Sequence, residues 1–240
     1  LRNTKQLKEK NQMNFRERIF KDRHEAGKRL AERLKKYSNL DDVVVLALPR
    51  GGVPVAFEVA KSIGAPLDVF ITRKLRFPDE PELALGALAE NGEVFLNKEL
   101  VQYCPESYIE KEKEYQWEEI KRRQLAYRNG KGLPPLEGKV VILIDDGVAT
   151  GATIIATIHA LRASGVKRIV VAVPVAPPET AEELLRLADE LIVLYTPSPF
   201  FAVGMYYSDF RQLSDAEVRE YLEQARFFTE KKAHKMEVQA

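Results

Sequence analysis

Short apolar runs recur along the chain at residues 43–48, 67–72, 140–144, 169–175 and 191–195. The run at 43–48, VVVLAL, is unbroken, as a parallel strand covered on both faces requires. Between the runs, residues 53–63 read as a helix closed by Gly64, residues 151–163 as a helix stopped near Gly165, and residues 178–188 as a third. Strand–helix–strand repeats of this size force right-handed crossovers. The pattern therefore predicts an α/β fold, a mostly parallel central sheet with helices on both faces. A sheet of that kind binds ligands at the carboxyl ends of its strands.

Two segments interrupt the alternation. Residues 73–97 carry Pro78, Pro81 and several acids, and predict a hairpin of 83–89 with 93–96 turning at Asn91-Gly92. Residues 105–128 form a charge-rich helical pattern, read as a solvated or partner-facing excursion. Towards the N-terminus, the spacing of Phe15, Ile19, Ala26, Leu30 and Leu34 predicts an amphipathic helix over 15–36. The expected plan is a tail at 1–14, one domain over 15–226, and a frayed tail at 227–240.

Composition narrows the class. The 240 residues hold 37 Lys+Arg against 36 Asp+Glu, a formal charge of +1, which argues against nucleic-acid binding driven by overall charge. Residues 1–36 hold 13 basic and 5 acidic side chains, alternating as a solvated helix face does, although a basic arm for an anionic partner stays open. One cysteine, Cys104, excludes an intramolecular disulfide and a thiolate zinc cage, and three scattered histidines offer no ligand spacing. No apolar run reaches the ~18 residues of a membrane span, and no signal-peptide pattern is present. The expectation is a cytoplasmic protein.

The chemistry gathers where the 140–144 run ends. Asp145 and Asp146 are adjacent carboxylates at a strand terminus and should face solvent, hydroxyls or a cation. Gly147 and Gly151 let the backbone curl, and Thr150 and Thr153 add hydroxyls. Successive inward amides at a helix start cradle a phosphate. The combination suits a ligand with a phosphate at one end and vicinal hydroxyls nearby, as in a ribose 5-phosphate. Neither a Walker loop nor GxGxxG is present.

The run followed by DDGVATGAT resembles the phosphoribosyl pyrophosphate (PRPP) loop of type I phosphoribosyltransferases, and LPRGG at 48–52 resembles the pyrophosphate loop of the same superfamily. The likeness covers about residues 41–210. FRERIFKDRHEAG and FFAVGMYYSDFRQLSDAEV are similar to bacterial and archaeal phosphoribosyltransferases of unassigned acceptor. The resemblance implies that Asp145 and Asp146 bind the ribose hydroxyls, directly or through Mg²⁺, and that Gly147, Val148, Ala149, Thr150, Gly151, Ala152 and Thr153 hold the 5′-phosphate. It implies that Arg50, Gly51 and Gly52 hold pyrophosphate in a loop with a strained or cis peptide. Arg73 and Lys74 stand in place to neutralise the same group, or form a plain surface pair. Arg211 resembles a further pyrophosphate contact. Residues 73–97 would be a flexible lid, and residues 196–213 with the N-terminal helix a small hood.

The implied reaction displaces pyrophosphate from ribose C1 by a nitrogenous base, in a homo-oligomer that the family favours as a dimer. One place departs from the 6-oxopurine enzymes, which carry an aspartate where this chain has Ala149. A proton acceptor would have to come from Glu82 or Glu90 in the lid, either of which could equally be a solvated acid. Phe200, Phe201, Tyr206 and Tyr207 would stack on the base or pack the core. Two alternatives stay open: a PRPP- or nucleotide-sensing protein with little turnover, and a hydrolase acting on a sugar phosphate.

Overall fold

The structure is a computed structural model and describes residues 18–239; the side chains of Glu82 and of residues beyond 228 lie outside the described set, as do the expected tail at 1–14 and the start of the helix expected at Phe15. Five parallel strands form the central sheet in the order β2-β1-β6-β7-β8, with β1 at Val43–Ala47, β2 at Leu67–Val69, β6 at Val140–Ile144, β7 at Arg168–Val175 and β8 at Glu190–Tyr195. Strand β1 lies between β2 and β6 and is fully buried, paired in register with β6 from Val43 against Val140 to Ala47 against Ile144.

Alternate residues of each strand serve opposite layers. Val43, Val45, Ile142 and Ile144 pack with Leu30 and Leu34 of α1 (Arg23–Leu34), Val55 and Val59 of α2 (Gly52–Ile63), and Val218 and Leu222 of the last helix. Val44, Leu46, Val141 and Leu143 pack instead with Ile154, Ile158 and Leu161 of the helix that follows β6. The expected two-faced α/β layering is what the chain forms.

Four elements differ from the pattern reading. Helix α1 begins at Arg23 because Asp22 accepts from the Glu25 amide as its cap, while Phe20 upstream pairs in a short parallel bridge with Tyr207. The run at 67–72 divides after Val69, and Thr72 opens β3 (Thr72–Phe77) of a second, antiparallel sheet. That sheet runs β3-β4-β5, with β4 at Glu80–Ala89 and β5 at Val94–Leu96; the hairpin at Asn91-Gly92 is present, but β3 adds a third strand. After a short helix α3 (Lys98–Val101), α4 runs Glu106–Arg128 and lies on this sheet with Ile109 and Ile120 buried. Helices α5 (Ala152–Ala163) and α6 (Pro178–Leu187) follow β6 and β7. Helix α7, Asp215–Gln239, continues through the stretch at 227–239 read as a tail. Among the described residues no helix is long and apolar enough to cross a membrane.

Candidate functional site

At the carboxyl ends of β1 and β6, two loops press against each other. The Pro49–Arg50 peptide is cis. A Cβ on Gly51 would overlap the Asp146 carboxylate, and one on Gly52 would lie 2.7 Å from the Ile144 carbonyl oxygen. Only glycine permits that approach. On the far side, a Cβ on Gly147 would sit 2.5 Å from Val203, so the 203–206 turn closes over the start of the loop. Gly151 adopts a left-handed conformation, φ 78°, and precedes α5 without a side-chain cap. The first-turn amides of α5 are thus left for another acceptor.

The two aspartates are treated unequally. Asp146 accepts from Arg23 Nε and Nη2, each at 2.8 Å, and Arg23 Nη1 donates to the Arg211 carbonyl at 2.9 Å. The guanidinium lies 4.0 Å from the centre of the Phe210 ring. Asp145 accepts from the Asp146 amide at 2.8 Å. Burial and then the neighbouring charge of Asp146 push the Asp145 carboxyl well above the ordinary range. Burial also raises Asp146, but the Arg23 guanidinium opposes it. Tyr207 is buried and donates its hydroxyl to the Asp146 carbonyl at 2.5 Å, which fixes the backbone of the pair.

Asp145 opens onto a cavity of about 300 Å³ whose walls include Arg73, Lys74, Arg76 and Arg123. Thr153 and Pro49 line the same cavity, whereas Thr150 and Ala152 face a second hollow of about 520 Å³ beside β4 and β5. A larger hollow of about 700 Å³ is walled by α4 alone and includes none of the loop residues. The first cavity is cation-rich with one carboxylate, a place for a polyanion rather than a neutral ligand.

Several expected residues stand elsewhere. The Arg50 guanidinium is 3.7 Å from Asp215, which also accepts from Arg122 and Tyr127 at 2.7 Å each. Arg211 is turned outward onto Glu217 at 2.7 Å. Glu90 is no free lid acid: it is buried, accepts from Arg128 Nη1 at 2.7 Å and Nη2 at 2.6 Å, and accepts from the Ile71 amide at 2.8 Å. An acid so committed cannot shuttle protons. Glu82 is on β4 with its side chain outside the described set. Tyr207 belongs to the core against Phe20, while Phe200 and Tyr206 stack on each other at 5.4 Å and Phe201 is exposed.

Pattern reading passes over Arg23, Arg76, Gln116 and Arg123. For α4 a signal exists: Ile109, Glu112, Gln116, Ile120 and Tyr127 are buried at helical three-and-four spacing, and two polar residues on an otherwise apolar stripe mark a built contact. Arg23 has no such signal, since only the fold brings it to Asp146. Among the described residues no cluster of three or more His, Cys, Asp or Glu is placed to hold a metal ion. Two carboxylates, one already committed to Arg23, nevertheless suit a magnesium ion that keeps waters and takes other oxygens from a phosphate ligand.

Comparison with known proteins identifies the family. The family model described as the phosphoribosyl transferase domain matches residues 18–209. Two curated relatives from strains of Mycobacterium tuberculosis, each provisionally named a phosphoribosyl transferase, are 45% identical over 210 residues, covering 87% of this chain and 47% of theirs. The chain spans about half the length of the curated relatives it matches. A crystal structure of a protein from Thermus thermophilus is 44% identical, with a TM-score of 0.74, over 85% of this chain and 97% of that one.

Proposed function

The chain belongs to the phosphoribosyl transferase family, and from that premise we propose that it moves ribose 5-phosphate from PRPP to a nitrogenous base. One observation carries the reading: Asp145, paired with Asp146 at the end of β6, opens onto a cavity holding Arg73, Lys74, Arg76 and Arg123. In the reaction a base nitrogen bonds to ribose C1, and the C1–oxygen bond breaks with its electron pair leaving on pyrophosphate. Negative charge grows on that leaving group, and fixed cations stabilise it most in the transition state. Asp145 accepts from the ribose hydroxyls, Arg23 pairs with Asp146 beside it, and the α5 amides with Thr150 and Thr153 receive the 5′-phosphate. A magnesium ion at Asp145 and Asp146 would neutralise further charge on pyrophosphate.

Arg50 keeps a place in this proposal. Its 3.7 Å pair with Asp215 is partly exposed, and such pairs hold at most about 1 kcal/mol, less than a charge-assisted bond to phosphate offers. The arginine fork can span two phosphate oxygens, where lysine is a point charge. Arg50→Lys should therefore weaken PRPP more than ribose 5-phosphate in calorimetry, and equal weakening of both would remove Arg50 from the site.

A second reading, a PRPP- or nucleotide-sensing protein with little turnover, is favoured by two features: Asp146 is locked by Arg23, and Ala149 offers no proton acceptor. The experiment is calorimetry of PRPP with magnesium on the wild type and on Asp145→Asn. We expect the substitution to keep the fold, since the amide oxygen still accepts from Asp146, and to lower affinity at least ~10-fold. Unchanged PRPP affinity would refute the assignment of the acidic pair.

A further inference from the structure

Helix α4 reads from its pattern as solvated, yet Gln116 is 1% exposed and Glu112 is 7% exposed. Their bonds run in one direction. Glu112 accepts from Gln116 Nε2 at 2.9 Å, and from the amide and Nε of Arg76 at 3.1 Å and 2.8 Å. Gln116 Oε1 in turn accepts from Arg73 Nε at 2.9 Å. The orientation of this amide is fixed by chemistry: a carboxylate only accepts and a guanidinium only donates, so Gln116 can bridge them one way round. Holding Arg73 by Nε leaves its two Nη groups as the edge able to fork onto a phosphate.

Arg123 stands two turns further along α4. It is 14% exposed, donates to Glu119 at 2.8 Å, and lines the cavity that holds Arg73, Arg76 and Asp145. Arg76 has its own buried counter-ion in Glu112, but Arg73 is held by a neutral amide beside another cation. Burial, and then the charge of Arg123, push the Arg73 guanidinium below its ordinary value, as expected of a cation facing another cation. A group so placed is relieved by an anion in the cavity.

We propose that α4 completes the pyrophosphate subsite, with Arg123 touching the pyrophosphate beside Arg73, and with Gln116 as the positioning residue that aims Arg73 at it. The assignment rests on the PRPP reading above and adds a wall that neither of the two recognised loops supplies. In consequence, pyrophosphate recognition depends on a helix outside the central sheet.

The test is calorimetry with three probes, pyrophosphate, ribose 5-phosphate and PRPP, each with magnesium. Arg123→Gln should weaken pyrophosphate and PRPP about 10–100-fold, the range for loss of a charge-assisted contact, and leave ribose 5-phosphate within about twofold. Arg123→Lys, which keeps the charge, should fall between. Gln116→Met removes both amide bonds at similar volume; it should weaken pyrophosphate selectively, and adding Arg73→Ala to it should cost little more. A purely structural role would lower all three affinities together, and that result overturns the proposal. So does an Arg123→Gln variant that binds pyrophosphate as the wild type does. Wild-type protein that binds ribose 5-phosphate but neither PRPP nor pyrophosphate overturns the PRPP reading itself, and the subsite with it.

Discussion

Asp145 occupies a position that costs the fold something. Its carboxyl is raised by burial and by the charge of Asp146, so the native state binds a proton more tightly than the unfolded chain, whose value is near 3.8. Stability from this group is therefore complete below about that pH and is lost as pH rises through the folded value. Asp145→Asn should accordingly raise the melting temperature of the ligand-free protein at neutral pH, by about 2–4 °C for each kcal/mol relieved. The gap from wild type should close as pH falls towards 4 in a series of thermal melts, and a gap that widens on acidification would contradict the assignment. At Ala149 the loop makes a chemical statement of another kind. Its side chain accepts no proton, Glu90 is committed to Arg128, and among the described residues Asp145 is the one carboxylate lining the cation-rich cavity. General-base assistance is worth about 10²–10⁴ in rate. Hypoxanthine and guanine should therefore be poor acceptors beside adenine-like or non-purine bases. Hypoxanthine turnover of several per second would show a base that this structure does not identify. The loop residues are legible in the sequence because glycine, aspartate and threonine at fixed spacing carry their chemistry locally. Arg23 is not, because its partner is 123 positions away.

Among the elements, the antiparallel sheet and α4 are where pattern reading and structure part. The segment at 73–97 has prolines and acids that suggest a loose lid, yet Leu75, Leu85 and Leu88 are buried in the main core. An apolar residue every second position on a strand is weak evidence when bulges shift the register, as they do at Leu75, Arg76 and Phe77. The tie that pins this sheet to α4 is the buried pair of Glu90 and Arg128, reinforced by Asp68 at 2.9 Å. Removing one member of a buried pair strands the other charge. Glu90→Ala should thus cost about 3–5 kcal/mol, a fall in melting temperature of roughly 6–20 °C. Because Glu90 is structural, the variant assayed well below its melting point should keep its turnover per folded molecule. A stable Glu90→Ala protein with abolished turnover would restore Glu90 to the chemistry.

On the scale of the whole molecule, the carboxyl end of the central sheet collects groups from distant parts of the chain. The end of β6 gives the aspartates, the end of β1 gives the glycines, α1 gives Arg23, and α4 with β3 gives the cationic wall. The order of strands and helices was readable because each strand is a short apolar run and each helix has a stop. What could not be read is which helices lie over the strand ends, since that depends on packing between segments remote in sequence. The proposed activity is the exchange of pyrophosphate on PRPP for a base at this end of the sheet. It is tested most directly by measuring pyrophosphate released from PRPP and magnesium as single bases are added to the purified protein. We expect release that begins only with an acceptor base, matches the nucleotide formed mole for mole, and is lost in Asp145→Asn. Release at the same rate without any base, or no release with any base despite PRPP binding, would contradict it.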